Sequence, residues 1–135
     1  MLPRLFAALA IMFALGGCTK PPYTNIDNAQ LKILIAQGVP VYDVRRAEEW
    51  RQTGVVEGSR KLTWVDASGK PNQEFLPRLI AEVDKTAPVI LICRSGNRTD
   101  QLARELMEKH GYAQVYNVRN GIVGWIGENN LVIKN

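Results

Sequence analysis

"PVILICRSGNRTDQLARELMEKH", residues 88–110, sets a β-branched apolar run, a six-residue loop and an amphipathic run side by side. The run at residues 87–93, "APVILIC", is short and nearly continuous, which predicts a strand buried on both faces. In residues 99–111, "TDQLARELMEKHG", Leu102, Ala103, Leu106 and Met107 recur on one face and Gly111 closes the pattern, which predicts a helix. Between them, "CRSGNR" (residues 93–98) carries the only cysteine in the body of the chain. The thiol therefore stands at the end of the most apolar strand and faces the start of a helix.

Outward from this unit the same alternation repeats. "VPVYDVR" (39–45) and "AQVYNVR" (113–119) read as buried strands, and "YTNI" (23–26) and "RKLTW" (60–64) as two shorter ones. "DNAQLKILIAQG" (27–38) reads as a helix, with Asp27 and Asn28 as possible caps and Gly38 as a stop. "AEEWRQTG" (47–54) is a shorter helix with acids in its first turn. "NQEFLPRLIAEVD" (72–84) is helical in pattern, but Pro77 should make it begin late or kink. Strands alternating with helices predict an α/β fold with a mostly parallel sheet flanked by helices. In such sheets ligands bind beyond the carboxyl ends of the strands, which is where Cys93 lies.

The chain has 135 residues, enough for one small domain, with a net charge of +4. Its basic residues alternate with acids, as in "RRAEEWR", so they read as solvated faces and not as a nucleic-acid surface. The N-terminus is different. An apolar run at residues 5–15 is too short to span a bilayer, which takes about 20 residues, but matches the core of a signal peptide. It ends in "LGGC" (15–18), which resembles a bacterial lipobox. Residues 1–17 are then a lipoprotein signal peptide, with Cys18 the lipidated residue. Residues 18–22 form a tether reaching at most about 17 Å, and the domain occupies residues 23–134. Thr19, in place of Asp, after the lipidated cysteine points to the periplasmic side of the outer membrane. With Cys18 given to lipid, Cys93 has no disulfide partner and is either an inert core thiol or a reactive one.

The loop favours reactivity. A loop that closes into a helix start turns backbone N–H groups inward, and the helix dipole adds to them, so the turn forms a cradle for an anion. Gly96 permits the backbone angles this needs, and Arg94 and Arg98 add positive charge. A thiolate at the base of the cradle is itself an anion, stabilised as a nucleophile with room for a second anionic group above it. The less specific reading is a helix N-terminus capped by Ser95 or Asn97 with two surface arginines. His110 is the chain's only histidine and falls in the last turn of a helix, where a cation suits the dipole, so a Cys–His dyad is not expected. One histidine and one thiol cannot build a metal site, and no cofactor is implied. Trp50, Trp64 and Trp125 read as packing residues.

Two segments carry a family resemblance. "VYDVRRAEEWRQTGVVEGSRKL" resembles the first rhodanese motif, and "VILICRSGNRTDQLARELMEKHGYAQVYNVRNGIVGW" the second, with its active-site loop. The resemblance implies a rhodanese-like domain, a five-stranded, mostly parallel sheet flanked by helices. It implies a sulfurtransferase of the thiosulfate type. Cys93 would take a sulfane sulfur from a small sulfur-containing anion such as thiosulfate, hold it as a persulfide, and pass it to cyanide or a thiol. Arg94, Ser95, Gly96, Asn97 and Arg98 would bind the persulfide or the donor's sulfonate, with Arg98 closing the loop and Arg94 tuning its charge. Asp43 and Arg45 would support the site without taking part in the chemistry.

The sequence departs from the family pattern in two turns. Gly54-Val55-Val56 lacks a common surface histidine, and Asn120-Gly121-Ile122 has Asn where Gly is usual. Asn tolerates a left-handed backbone, so the second turn can survive with added bulk beside the pocket. A related phosphatase type has one more residue between its cysteine and arginine. The four residues between Cys93 and Arg98 make a smaller cradle, suited to sulfur or a sulfonate. A different class of function stays open, a binding module that carries a persulfide or senses thiol oxidants without turnover.

Overall fold

The computed structural model describes residues 20–134. Five strands, β1 (Thr24–Ile26), β2 (Val41–Asp43), β3 (Arg60–Lys61), β4 (Pro88–Ile92) and β5 (Gln114–Val118), form one sheet in the order β1-β5-β4-β2-β3. Every neighbouring pair is parallel. The expected α/β architecture is therefore present, with β4 at its centre.

Parallel strands need crossover helices, and these cover both faces. Successive β4 side chains alternate between two cores. Val89, Leu91 and Cys93 face a cluster with Phe75, Leu79, Leu102, Ala103 and Leu106, supplied by α3 (Phe75–Glu82) and α4 (Asn97–His110). Ile90 and Ile92 face a second cluster with Leu31, Ile122 and Trp125, supplied by α1 (Asn28–Ala36) and a last helix, α5 (Gly121–Gly127). The short α2 (Ala47–Thr53) buries none of its residues and lies beyond the carboxyl end of β2.

Most boundaries follow from local chemistry. Asp27 caps α1 in a reciprocal capping box with Gln30. Helix α3 begins late, at Phe75, so Pro77 falls in the first turn, where a missing N–H breaks no helical bond. Gly111, with φ +74°, closes α4 in the left-handed region. Strand β3 is shorter than the expected run at residues 60–64. Only Arg60 and Lys61 keep ladder register with β2, although Leu62 and Trp64 still donate to the Asp43 and Val44 carbonyls. Helix α5 departs from the sequence reading, which had only a turn there.

Candidate active site

The site grows from the end of β4. Ile92 is the last ladder residue, and Cys93 continues the alternation toward α3 and α4, so its side chain is 1% exposed, within the core. The chain then turns through Gly96, at φ +93°, into α4. The turn brings the Gly96 N–H to 3.1 Å from Cys93 Sγ, to which it donates. Neither Ser95 nor Asn97 caps the helix with its side chain. Gly96 occupies the cap position, and Arg94, Ser95 and Asn97 are exposed on the outer side of the loop.

Two glycines let separate stretches of backbone close on each other here. A Cβ on Gly96 would lie 2.3 Å from the Arg119 carbonyl oxygen. A Cβ on Gly121 would lie 2.3 Å from the Arg94 carbonyl oxygen and 2.6 Å from that of Cys93. The first N–H groups of α5 use this proximity. Ile122 donates to the Cys93 carbonyl at 2.9 Å and Val123 to the Arg94 carbonyl at 3.1 Å. Helix N-terminal donors that would otherwise lack partners thus clamp the start of the loop. Asn120 does not use the left-handed backbone that Asn tolerates. Its φ is −105°, and Gly121, at φ +58°, takes that conformation instead.

Arg98 leaves the loop toward α2 and makes a two-pronged ion pair with Glu49, with Nη1–Oε2 at 2.8 Å and Nη2–Oε1 at 2.7 Å. Of the two positive charges that the sequence places on the loop, that of Arg98 is therefore matched by a carboxylate. Burial works to raise the Glu49 carboxyl. The Arg98 hydrogen bonds, the Arg46 N–H and the charge of both arginines outweigh it and hold the group at about 2. Hydrogen bonding to Glu49 likewise raises Arg98. Among the described residues Arg94 forms no ion pair.

Asp43 and Arg45 lie beneath this tether. Both are buried, and Arg45 Nε and Nη2 bind the Asp43 carboxylate at 3.0 and 2.8 Å. Arg45 also donates to Thr53 Oγ1 at 2.8 Å and to the Gly54 carbonyl at 2.9 Å, and the Trp50 indole N–H donates to Asp43 at 3.0 Å. The pair locks α2 onto the end of β2 and so sets where Glu49 meets Arg98. Trp50, read from sequence as packing, has this polar role as well.

Three participants were not anticipated. Glu49 had been read only as a first-turn acid. Thr99 Oγ1 is 3.2 Å from Cys93 Sγ and donates to Asn117 Oδ1, while the Asn117 amide nitrogen donates to the Gly96 carbonyl at 3.3 Å. One signal for Asn117 was available, since it is a lone amide inside an otherwise apolar strand. His110 lies at the far end of α4, beside Trp64 and Phe75. A cleft of about 500 Å³ borders the loop, lined by Arg46, Trp64, Asp66, Arg98 and Gln101. Among the described residues no group of His, Cys, Asp and Glu side chains is arranged to hold a metal ion.

The arrangement places a free cysteine sulfur beside a backbone donor and a hydroxyl, with the chain's one histidine at the far end of α4. The rhodanese-like domain family model matches residues 27–128. A sulfurtransferase from Allochromatium vinosum is 40% identical over 103 residues, covering 75% of this chain and 86% of that protein. Among solved structures, Rv0390 from M. tuberculosis superposes with a TM-score of 0.69 at 26% identity, covering 84% of this chain and 99% of the other. A rhodanese-related protein from Thermoplasma volcanium does so at 0.62 and 26%, covering 84% and 100%. With a parallel five-stranded sheet, a cysteine loop at the end of its central strand and these likenesses, the chain belongs to the rhodanese-like domain family.

Proposed function

We propose that the protein is a sulfurtransferase that moves a sulfane sulfur through a persulfide on Cys93. The observation that carries this reading is the Cys93 sulfur at the strand end, with the Gly96 N–H donating to it and α4 starting above it. With thiosulfate as donor, the Cys93 thiolate attacks the outer sulfur. A new S–S bond forms, the bond between that sulfur and the sulfonate breaks, and sulfite leaves with the electron pair. The product, Cys–S–S⁻, carries its charge on the outer atom. Cyanide or a thiolate then attacks that atom, and the electron pair of the broken S–S bond returns to Cys93 as thiolate. Loop N–H groups and the α4 N-terminus stabilise the anion at both stages. Arg94 supplies attraction for an anionic donor, and Arg98 holds the loop shut through Glu49.

A second reading draws on the burial of Cys93. A cysteine only 1% exposed is shielded from thiols in free solution, which suits a carrier that protects a persulfide until a partner protein takes it. Turnover separates the two. The protein is incubated with thiosulfate and its intact mass measured, and one added sulfur, removed by cyanide and absent in Cys93→Ala, is expected. Repeated thiocyanate formation identifies an enzyme and a single stoichiometric release a carrier. Equal sulfur uptake by Cys93→Ala would refute both.

Cys18 lies outside the described residues. We propose that it is lipidated and anchors the domain on the periplasmic side of a bacterial membrane, the outer one because Thr19, and not Asp, follows it. The "LGGC" sequence supports this.

A further inference from the structure

Two buried polar side chains, Thr99 and Asn117, have no part in the sulfur chemistry set out above. The orientation of the Asn117 amide is determined by its surroundings. Its nitrogen donates to the Gly96 carbonyl at 3.3 Å and to Asn25 Oδ1 at 3.1 Å. A backbone carbonyl only accepts, so the nitrogen must face it. Asn117 Oδ1, which can only accept, is thereby turned toward the Thr99 hydroxyl. The same hydroxyl lies 3.2 Å from Cys93 Sγ.

Thr99 has one proton to give. With Cys93 as a thiol every group is satisfied, since S–H donates to Thr99 Oγ1 and Thr99 O–H donates to Asn117 Oδ1. With Cys93 as a thiolate, two acceptors face one proton. The charged acceptor makes the stronger bond, so the proton swings to sulfur and Asn117 Oδ1 is left buried without a donor.

We propose that Asn117 is a positioning residue that competes with the Cys93 thiolate for the Thr99 proton. It thereby restrains the free thiolate and favours the state in which negative charge has moved to a second sulfur. In Cys–S–S⁻ the inner sulfur is bonded to two heavy atoms and is a weak acceptor, so the Thr99 proton returns to Asn117 Oδ1. This second half rests on the persulfide reading, and the first half does not. The charged and titratable groups on the surrounding elements are Arg94, Arg98 with Glu49, Asp43 with Arg45, and Asp100 with Arg104 and the Tyr23 hydroxyl. None is altered in the variants below.

The test uses the full chain in detergent with Cys18→Ala, so that Cys93 is its one thiol. The rate of Cys93 alkylation by iodoacetamide at pH 7 is divided by its high-pH plateau. This ratio reports the thiolate fraction and cancels changes in access. Asn117→Leu frees the Thr99 proton for sulfur, and the ratio rises by about threefold to tenfold, the scale of one hydrogen bond. Thr99→Val removes the shared proton and the thiol's acceptor together, so the effect of Asn117→Leu on the ratio should vanish in that background. Thr99→Ser restores it. A purely structural role for Asn117 moves the plateau and leaves the ratio unchanged, or moves the ratio equally in the Thr99→Val background, and either result overturns the proposal. If Asn117→Leu does not fold, Asn117→Asp replaces it. A carboxylate competes more strongly, so the ratio must fall, and a rise overturns the proposal. For the second half, cyanide-removable sulfur is measured at a fixed thiosulfate-to-sulfite ratio, and Asn117→Leu should retain less than the parent. A parent that takes up no sulfur overturns the second half together with the proposed function, while the alkylation ratios still decide the first.

Discussion

Replacing Glu49 with Gln cuts the ion pair that ties the cysteine loop to α2. The magnitude follows from the carboxyl's depression. Folding takes it from an ordinary 4.5 to about 2. At about 1.36 kcal/mol for each pH unit, this sets an upper bound of roughly 3.4 kcal/mol. Arg98 and Glu49 keep 23% and 13% of their side-chain surface exposed, so solvent screens the pair and about 1–2 kcal/mol is expected. A carboxyl depressed by folding contributes fully above its unfolded value and loses that contribution as pH falls toward its folded value. The gap between the parent protein and Glu49→Gln should thus be constant above roughly pH 5. It should have narrowed by roughly half at about pH 3, where the carboxyl is protonated in the unfolded chain but still mostly ionised in the folded one, and should close as pH falls through about 2. Urea unfolding of both proteins across this range measures the gap. A gap below about 0.3 kcal/mol at neutral pH, or one of the same size at pH 3 and pH 7, would refute the idea that this pair closes the loop.

Three further outcomes are expected. Gly121→Ala puts a methyl group into the Arg94 and Cys93 carbonyls and forces a left-handed backbone on alanine, so stability should drop by about 2–4 kcal/mol in thermal unfolding, with faster alkylation of Cys93 as the loop loosens. Asp43→Ala leaves the Arg45 guanidinium buried and unpaired and should lose about 3–5 kcal/mol by urea titration, whereas Asp43→Leu with Arg45→Met should lose less. Cys18→Ala should move the protein from the membrane fraction to the soluble fraction, and an unchanged distribution rules out lipidation at that residue.

The centre of the sheet was legible because its strands are buried on both faces. A run such as "PVILI" has no polar side to disguise it. Helix α4 was legible from one apolar stripe and a terminal glycine. Helix α5 was not, because "GIVGWIG" holds three poor helix formers in seven residues. Burial of Ile122 and Trp125, and donation of its first N–H groups to the loop, hold it as a helix. The cysteine and its glycine turn could be read because they are contiguous. The tether could not, because Glu49 and Arg98 stand 49 residues apart and either, taken alone, reads as a surface charge. At Asn120 the sequence shows only that a left-handed backbone is tolerated, and the glycine beside it adopts that conformation instead.

Strand β1 has a mechanical consequence. It is an edge strand whose ladder to β5 covers three residue pairs, and the chain enters it directly from residue 20. Tyr23 reaches across to Asp100 and Asn25 to Asn117, so this short ribbon is joined to the groups around the sulfur. Tension on the chain ahead of residue 20 therefore loads this three-pair ladder first. Its failure removes the Asn25 partner of the Asn117 amide, which keeps its bond to the Gly96 carbonyl, while β4, flanked on both sides and buried, keeps Cys93 in place. A pull on the start of the domain would thus reach the groups around the sulfur before it reaches the strand that carries the sulfur.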